Sequence, residues 1–121
     1  MSNRVIHFEI HCDDPERASK FYTDTFGWKI TKWDGPESYW LAETGDNALP
    51  GINGGLMKRR DPSGAVYNTL HVDSIDEHTK KIEANGGKQV VPKMLIPEAG
   101  YLAYFKDTEG NIFGIWEELK K

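Results

Sequence analysis

The residues best suited to chemistry in this chain are His7 and Glu9, two positions apart in the run Arg4-Val5-Ile6-His7-Phe8-Glu9-Ile10-His11-Cys12. Alternate side chains of a strand share a face, so the Cα atoms of this imidazole and carboxylate would stand roughly 6.5–7 Å apart. Both could reach one ligand and share a proton, which is what a general acid/base pair requires. A salt bridge or hydrogen bond inside a polar cleft, without chemistry, satisfies the same spacing, and both readings stand at this point. His11 and His71 fall near strand ends, where solvated rings are expected, and His78 falls on a helix at the surface or core edge. Cys12 has acidic rather than basic neighbours in Asp13 and Asp14, so an inert thiol is expected. The chain has no phosphate loop, dinucleotide-binding glycine pattern, serine elbow or Cys-x-x-Cys pair.

The first strand, Arg4 to Cys12, must position the pair. Its alternation places Ile6, Phe8 and Ile10 on a face expected to meet a core, and His7, Glu9 and His11 on a face expected to meet water or a cleft. A helix follows, with Asp14 as its N-cap, Pro15 in its first turn and Gly27 after its end at Phe26. Helical spacing predicts Ala18, Phe21, Tyr22 and Thr25 as its buried face. Three strands complete this half: Trp28 to Trp33, Ser38 to Thr44, and Gly51 to Met57. The stretch Lys58-Arg59-Arg60-Asp61-Pro62-Ser63-Gly64 reads as a solvated linker, although its three adjacent cations could attract an anion.

The pattern then restarts. Val66 to Asp73 is a strand, Ser74-Ile75-Asp76-Glu77 has capping-box form, and a helix runs to Asn85 before Gly86-Gly87. Lys88 to Pro92 is a strand, 94–100 a connection of unassigned structure, and Gly100 to Lys106 a strand. Asp107-Thr108-Glu109-Gly110-Asn111 is a tight turn, and Asn111 to Glu117 is the last strand. Residues 60 positions apart match: Ile10 with Leu70, His11 with His71, Asp13 with Asp73, Gly27 with Gly87, and Gly54 with Gly114. Such self-similarity marks an internal repeat. The expected fold is α+β: two βαβββ modules, 1–60 and 61–121, related by a pseudo-twofold and forming a curved mixed sheet around a cleft, with the helices on its outer face. Clefts between modules suit small ligands. The expected lining is His7, Glu9 and Gly54 from one module and Tyr67, Thr69, Tyr101, Gly114 and Trp116 from the other. The aromatic residues suit a planar or apolar molecule.

The paired modules, the run Phe21-Tyr22-Thr23 before Phe26-Gly27-Trp28, the stretch Gly51-Ile52-Asn53-Gly54-Gly55, and Asp107-Thr108-Glu109-Gly110-Asn111 with the strand after it resemble the vicinal oxygen chelate superfamily. This is the glyoxalase, bleomycin-resistance and extradiol dioxygenase group, and the resemblance covers nearly the whole chain. It implies a metal held by a His or Glu on the first strand of each module and a carboxylate on the last strand of each. His7 matches the first of these positions; Tyr67, Gly54 and Gly114 stand at the others. Glycine offers no side chain and neutral Tyr is a poor ligand, so the expectation is no divalent metal and no other cofactor. The resemblance leaves a cleft that binds a small organic molecule. Its alternative is a lyase or isomerase of a small oxygenated metabolite with His7 and Glu9 as acid and base.

Size and composition agree with one compact domain or two small modules. The chain has 121 residues, 38% hydrophobic and 28% charged. Its net charge of -4 argues against nucleic acid or an anionic membrane as partner. A single cysteine and a start without an apolar core segment point to the cytoplasm. A homodimer is expected, and pairing of modules within one chain or across a dimer satisfies the same pattern.

Overall fold

The computed structural model describes residues 3–62 and 64–120; Ser63, part of the expected linker, lies outside them. The elements run β1 (Val5–Cys12), α1 (Pro15–Phe26), β2 (Lys29–Lys32), β3 (Tyr39–Glu43), β4 (Gly54–Lys58), then β5 (Val66–His71), α2 (Ile75–Ala84), β6 (Lys88–Ile96), β7 (Gly100–Lys106) and β8 (Ile112–Glu118). The β-α-β-β-β order is thus traversed twice in an α+β fold. Two compact units form, one of residues His7–Tyr67, the other from Asn68 onward together with the start of the chain up to Ile6. The first unit orders its strands β2-β3-β4-β1 and the second β6-β7-β8-β5. In each, the last strand lies parallel to the first and the remaining pairings are antiparallel.

Local chemistry sets the helix ends. The Asp14 carboxylate accepts from Arg17 N at 3.1 Å, Pro15 occupies the first turn, and Gly27 takes a left-handed conformation with φ 74° while its N–H bonds Thr23 O. Ser74 Oγ likewise accepts from Glu77 N at 3.1 Å at the start of α2. The buried stripe of α1 differs from the expected one. Phe21 is 57% exposed and Thr25 is exposed, whereas Pro15, Ala18, Ser19 and Tyr22 turn inward. The stripe is set by Tyr22, whose ring stacks on Trp28 at 4.7 Å and 9°.

Three other expectations shift. The stretch from Lys88 to Ile96 is one strand with register irregularities around Val91, rather than a strand and a separate connection. Pro92 is tolerated there because β6 ends the strand order of its unit and pairs with β7 alone. Residues 51–53 belong to a loop, in which Asn53 Oδ1 and Ile52 O accept from Thr44 N and Oγ1 at 3.0 and 2.7 Å, and β4 begins at Gly54. Finally, Glu9 pairs with Gly55 and Thr69 with Gly114, so the structural counterpart of Gly114 is Gly55, not Gly54. A slip of one residue reverses the face a strand residue occupies. A side chain at Gly54 would collide with Phe8, and one at Gly55 with Tyr39.

The turn at 107–111 is as expected. Gly110 has φ 82°, and Asp107 Oδ1 accepts from Glu109 N and Asn111 N at 2.8 and 2.9 Å. Those backbone bonds hold its carboxyl below the usual range. The linker cations are matched by acids, Arg59 with Asp13 at 3.1 Å and Arg60 with Glu37 at 3.3 Å.

In the second unit Val72, Ile75, Ala103, Phe105 and Ile115 form a sealed core, flanked by Leu70, Ile82, Tyr101 and Phe113. Phe105 has no exposed surface, so its truncation leaves a cavity. Phe105→Ala is expected to lower unfolding stability by about 3–5 kcal/mol, read as a shift of the urea midpoint. A loss comparable to that of an exposed-site control such as Leu95→Ala would contradict this assignment of the core.

Candidate functional site

The polar face of β1 is the buried face. Glu9 is 4% and His11 6% exposed, while Ile6 on the opposite face is 42% exposed. Of the two environments expected for this face, water or a cleft, the burial of Glu9 and His11 excludes bulk water, and it corrects the expectation of a solvated His11. The reason is that the polar groups satisfy one another. His11 Nε2 lies 3.2 Å from Glu9 Oε1, and the Tyr39 hydroxyl donates to Glu9 Oε2 at 3.4 Å. The same hydroxyl lies 2.8 Å from His7 Nε2. Tyr67 covers His11, ring centroids 4.1 Å apart. The first unit therefore carries a hydrogen-bonded chain, His7–Tyr39–Glu9–His11, roofed at one end by an aromatic ring.

Each link has a local cause. Strand periodicity puts His7, Glu9 and His11 on one face. Tyr39 opens β3, two strands away in the order β3-β4-β1, and pairs with Met57. Gly55 of the intervening strand pairs with Leu41 on one side and Glu9 on the other. Having no side chain, it lets the Tyr39 phenol cross β4. Tyr39 is the site residue that sequence reasoning missed. Its signal is faint, a polar-tipped aromatic beginning a strand opposite a glycine-rich one, and only strand order gives that signal meaning.

Environment sets the protonation states. Burial, and then the charge and hydrogen bond of Glu9, push the Tyr39 phenol far above its usual range, so it remains a proton donor. Burial holds the His7 imidazole below the ordinary value of 6.5, against the upward pull of Glu9. Burial, Asp61 and Glu9 raise the Tyr67 phenol while Arg59 pulls it down. Burial also raises the Cys12 thiol, whose Sγ donates to Met57 O at 3.5 Å, as suits an unreactive cysteine.

Of the remaining expected residues, Thr69, Tyr101, Gly114 and Trp116 fall in the second unit and Gly54 in the first. Thr69 is 4% exposed, pairs with Gly114, and its Oγ1 has no hydrogen-bond partner among the described residues. A side chain at Gly114 would press on Thr69 Oγ1 and Tyr104, both 3.3 Å from its Cβ. Trp116 pairs with His71 and Leu102 and packs over Gly100. Tyr101 packs against the hydrophobic core on the other side of β7, with Lys93 Nζ 5.1 Å from its ring centroid. Gly54 lies under Phe8, on the face away from Glu9. His71 Nε2 lies 3.6 Å from Glu118 Oε1, and His78 Nδ1 lies 3.2 Å from Ser74 O.

The residues at the superfamily's metal positions do not fit a divalent cation. Tyr39 engages Nε2 of His7, Tyr67 lies on His11, Gly55 and Gly114 have no donors, and the Tyr39 hydroxyl fills the space above Gly55. Among the described residues, no group of three or more His, Cys, Asp and Glu converges on a common point.

Comparisons with known proteins agree with this architecture. A family model described as bleomycin resistance protein-like N-terminal matches residues 4–45. A glyoxylase-like domain-containing protein of Didymella fabae is 30% identical over 120 residues, 95% of this chain and 94% of that protein. A putative glyoxylase, CFP32, of Mycobacterium tuberculosis is 29% identical over 115 residues, which are 90% of this chain and 43% of that longer protein. Among solved structures, a hypothetical protein of Bacillus halodurans superposes with TM-score 0.73 at 14% identity, covering 100% of this chain and 98% of its own. A Streptomyces coelicolor methylmalonyl-CoA epimerase variant in complex with 2-nitronate-propionyl-CoA superposes with TM-score 0.71 at 12% identity, covering 99% and 100%. At these identities the structural likeness concerns the fold.

His7 links this site to pH. Its native pKa lies below 6.5, so on acidification the unfolded chain takes up its proton first. The His7 contribution to stability is complete above pH 6.5 and is lost as pH falls from there toward the lower native value. His7→Gln is expected to show a smaller loss of stability than the unsubstituted protein across that interval, measured by urea denaturation on both sides of it. Equal acid sensitivity of the two proteins would contradict the buried, neutral state of His7.

Proposed function

The chain belongs to the glyoxalase-like group of the vicinal oxygen chelate superfamily, and from that premise we propose that it binds a small organic molecule without the superfamily's divalent metal. The observation that carries this reading is the His7–Tyr39–Glu9–His11 chain of the first unit. It engages His7, the one potential ligand left at the metal positions, and offers an imidazole and a phenol to a ligand instead. A hydrogen-bonding site beside aromatic rings suits an oxygenated organic molecule of modest size. A CoA derivative is bound in the epimerase variant named above, which favours a carbonyl-bearing ligand over a purely apolar one.

Elemental analysis of untagged protein, purified without chelators and dialysed against zinc, nickel or iron, tests the reading. The expected result is substoichiometric metal for all three and no change in thermal midpoint on adding them. One tightly held equivalent of any of them would overturn it.

A second reading, a lyase or isomerase acting on a small oxygenated metabolite, is favoured by the neutral His7 imidazole, which can accept a proton, and by its link through Tyr39 to a carboxylate. Both oxygens of Glu9 are engaged, so in this reading Glu9 acts through Tyr39 while His7 meets the substrate. Turnover would be sought among 2-oxoaldehyde adducts of thiols and thioesters with an acidic α-hydrogen. His7→Ala is then expected to lower kcat by about 10²–10⁴-fold, and Glu9→Gln to lower it with KM preserved. Unchanged turnover in both variants would remove these residues from the chemistry.

A further inference from the structure

The repeat supplies its own control for the surface of α1. Positions 15–26 and 75–86 carry the same succession of buried, half-buried and exposed residues, so the two helices lie in their modules in the same phase. The exposed positions of α1 are polar except at Phe21 and Phe26, which are 57% and 62% exposed. In the second module those places hold Lys81 and Gly86, both exposed. The packing of a module therefore asks for no aromatic ring at either place. We propose that α1 is where two copies of this chain meet, the Phe21 face of one packing against the same face of the other turned end for end.

The sheet edges do not offer themselves for association. β2 and β6 each end the strand order of their unit. β2 has four residues with a lysine at each end, and β6 carries Lys88, Pro92 and Lys93. Short length, lysine and proline all discourage pairing with another strand. The face of α1 has no such guard at its centre. Phe21 meets Tyr22 edge-on at 5.1 Å, and Tyr22 in turn stacks with Phe26 and Trp28, so the aromatic surface continues past the end of the helix. Contiguous exposed apolar surface of this kind marks an interaction site.

The charges around Phe21 choose the partner. Arg17 lies four residues before it and Asp24 three after it, on the same side of it in helical projection. Their side chains are 75% and 59% exposed. Along the helix axis they stand about 6 Å and about 4.5 Å from Phe21, in opposite directions. A twofold axis through a contact between the two Phe21 rings therefore sets Arg17 of each chain beside Asp24 of the partner, with an axial offset of about 1.5 Å. A parallel arrangement would set like charge against like. Within its own helix Arg17 lies 3.9 Å from Asp14, and Asp24 bonds Lys20 at 2.6 Å. Exposed pairs of this kind contribute little to stability and leave both groups able to join a pair across the interface. A single helix face is small as interfaces go, so the dimer is a weak one, dissociating in the micromolar range.

Sedimentation velocity of the full chain at low salt, from micromolar to millimolar concentration, tests the proposal. The expected result is a sedimentation coefficient that climbs from the monomer value to the dimer value. Phe21→Lys, which installs the residue type of the second module, is expected to stay monomeric throughout and to keep its urea midpoint. Arg17→Glu and Asp24→Lys, studied separately, are each expected to weaken self-association by about tenfold or more, because like charges then face each other. An equimolar mixture of these two variants is expected to recover the dimer, since opposite charges again meet at both ends between unlike chains. A chain that is monomeric at every concentration would overturn the proposal. A dimer indifferent to Phe21→Lys would overturn it by placing the contact elsewhere, and a mixture no more associated than its components would overturn the end-for-end geometry.

Discussion

A carboxylate held out of water at Glu9 constrains everything around it. The group must either lose its charge or be given donors, and the strand that carries it cannot turn that face to the core unless those donors arrive. One comes from His11 on the same strand. Another comes from Tyr39, which reaches it from β3. With strands about 5 Å apart, a side chain crossing an intervening strand needs a gap in it. Gly55 provides that gap, which explains a glycine in the buried stretch Gly54 to Met57 of β4. The strand order β3-β4-β1, the glycine and the phenol are thus parts of one solution to one electrostatic problem.

The second module meets a milder problem. At the positions of His7, Glu9 and His11 it carries Tyr67, Thr69 and His71, and a glycine again faces the middle one, Gly114 beside Thr69. A hydroxyl left without a partner costs about 1–3 kcal/mol, far less than an unsatisfied carboxylate. Thr69 Oγ1, without a partner among the described residues, is tolerated in that state. The repeat has kept its backbone plan and its small residues, while the ionisable groups have concentrated in one copy. Chemistry in this protein is therefore asymmetric even though the architecture is repeated.

The two modules also secure their helices differently. In the second, Ile75 of α2 is sealed in one core with Phe105 and Ile115. In the first, Tyr22 stacks on Trp28 and Trp28 leans on Phe8, so α1 is held by aromatic rings that stay partly exposed. Gly54 lets Phe8 pack closely against β4 on that side while Gly55 admits Tyr39 on the other. Adjacent glycines thus serve opposite faces of one strand.

Much of the fold was legible in the chain because it rests on local chemistry and repetition. The caps at Asp14 and Ser74, the glycine after α1, the Asp107 turn and the match of residues 60 apart are written in neighbouring residues, and they suffice for two βαβββ modules and their family. The candidacy of His7 and Glu9 was equally legible, since two residues on one strand face need no tertiary information. What the chain could not disclose was which face of β1 is buried. Alternation places polar and apolar residues on opposite sides, but it assigns the polar side to solvent unless distant partners satisfy it. Those partners, Tyr39 from two strands away and Tyr67 from β5, become neighbours only after the strands are ordered. The one-residue drift that makes Gly55 rather than Gly54 the counterpart of Gly114 is likewise a matter of pairing register, which hydrogen bonds between strands decide.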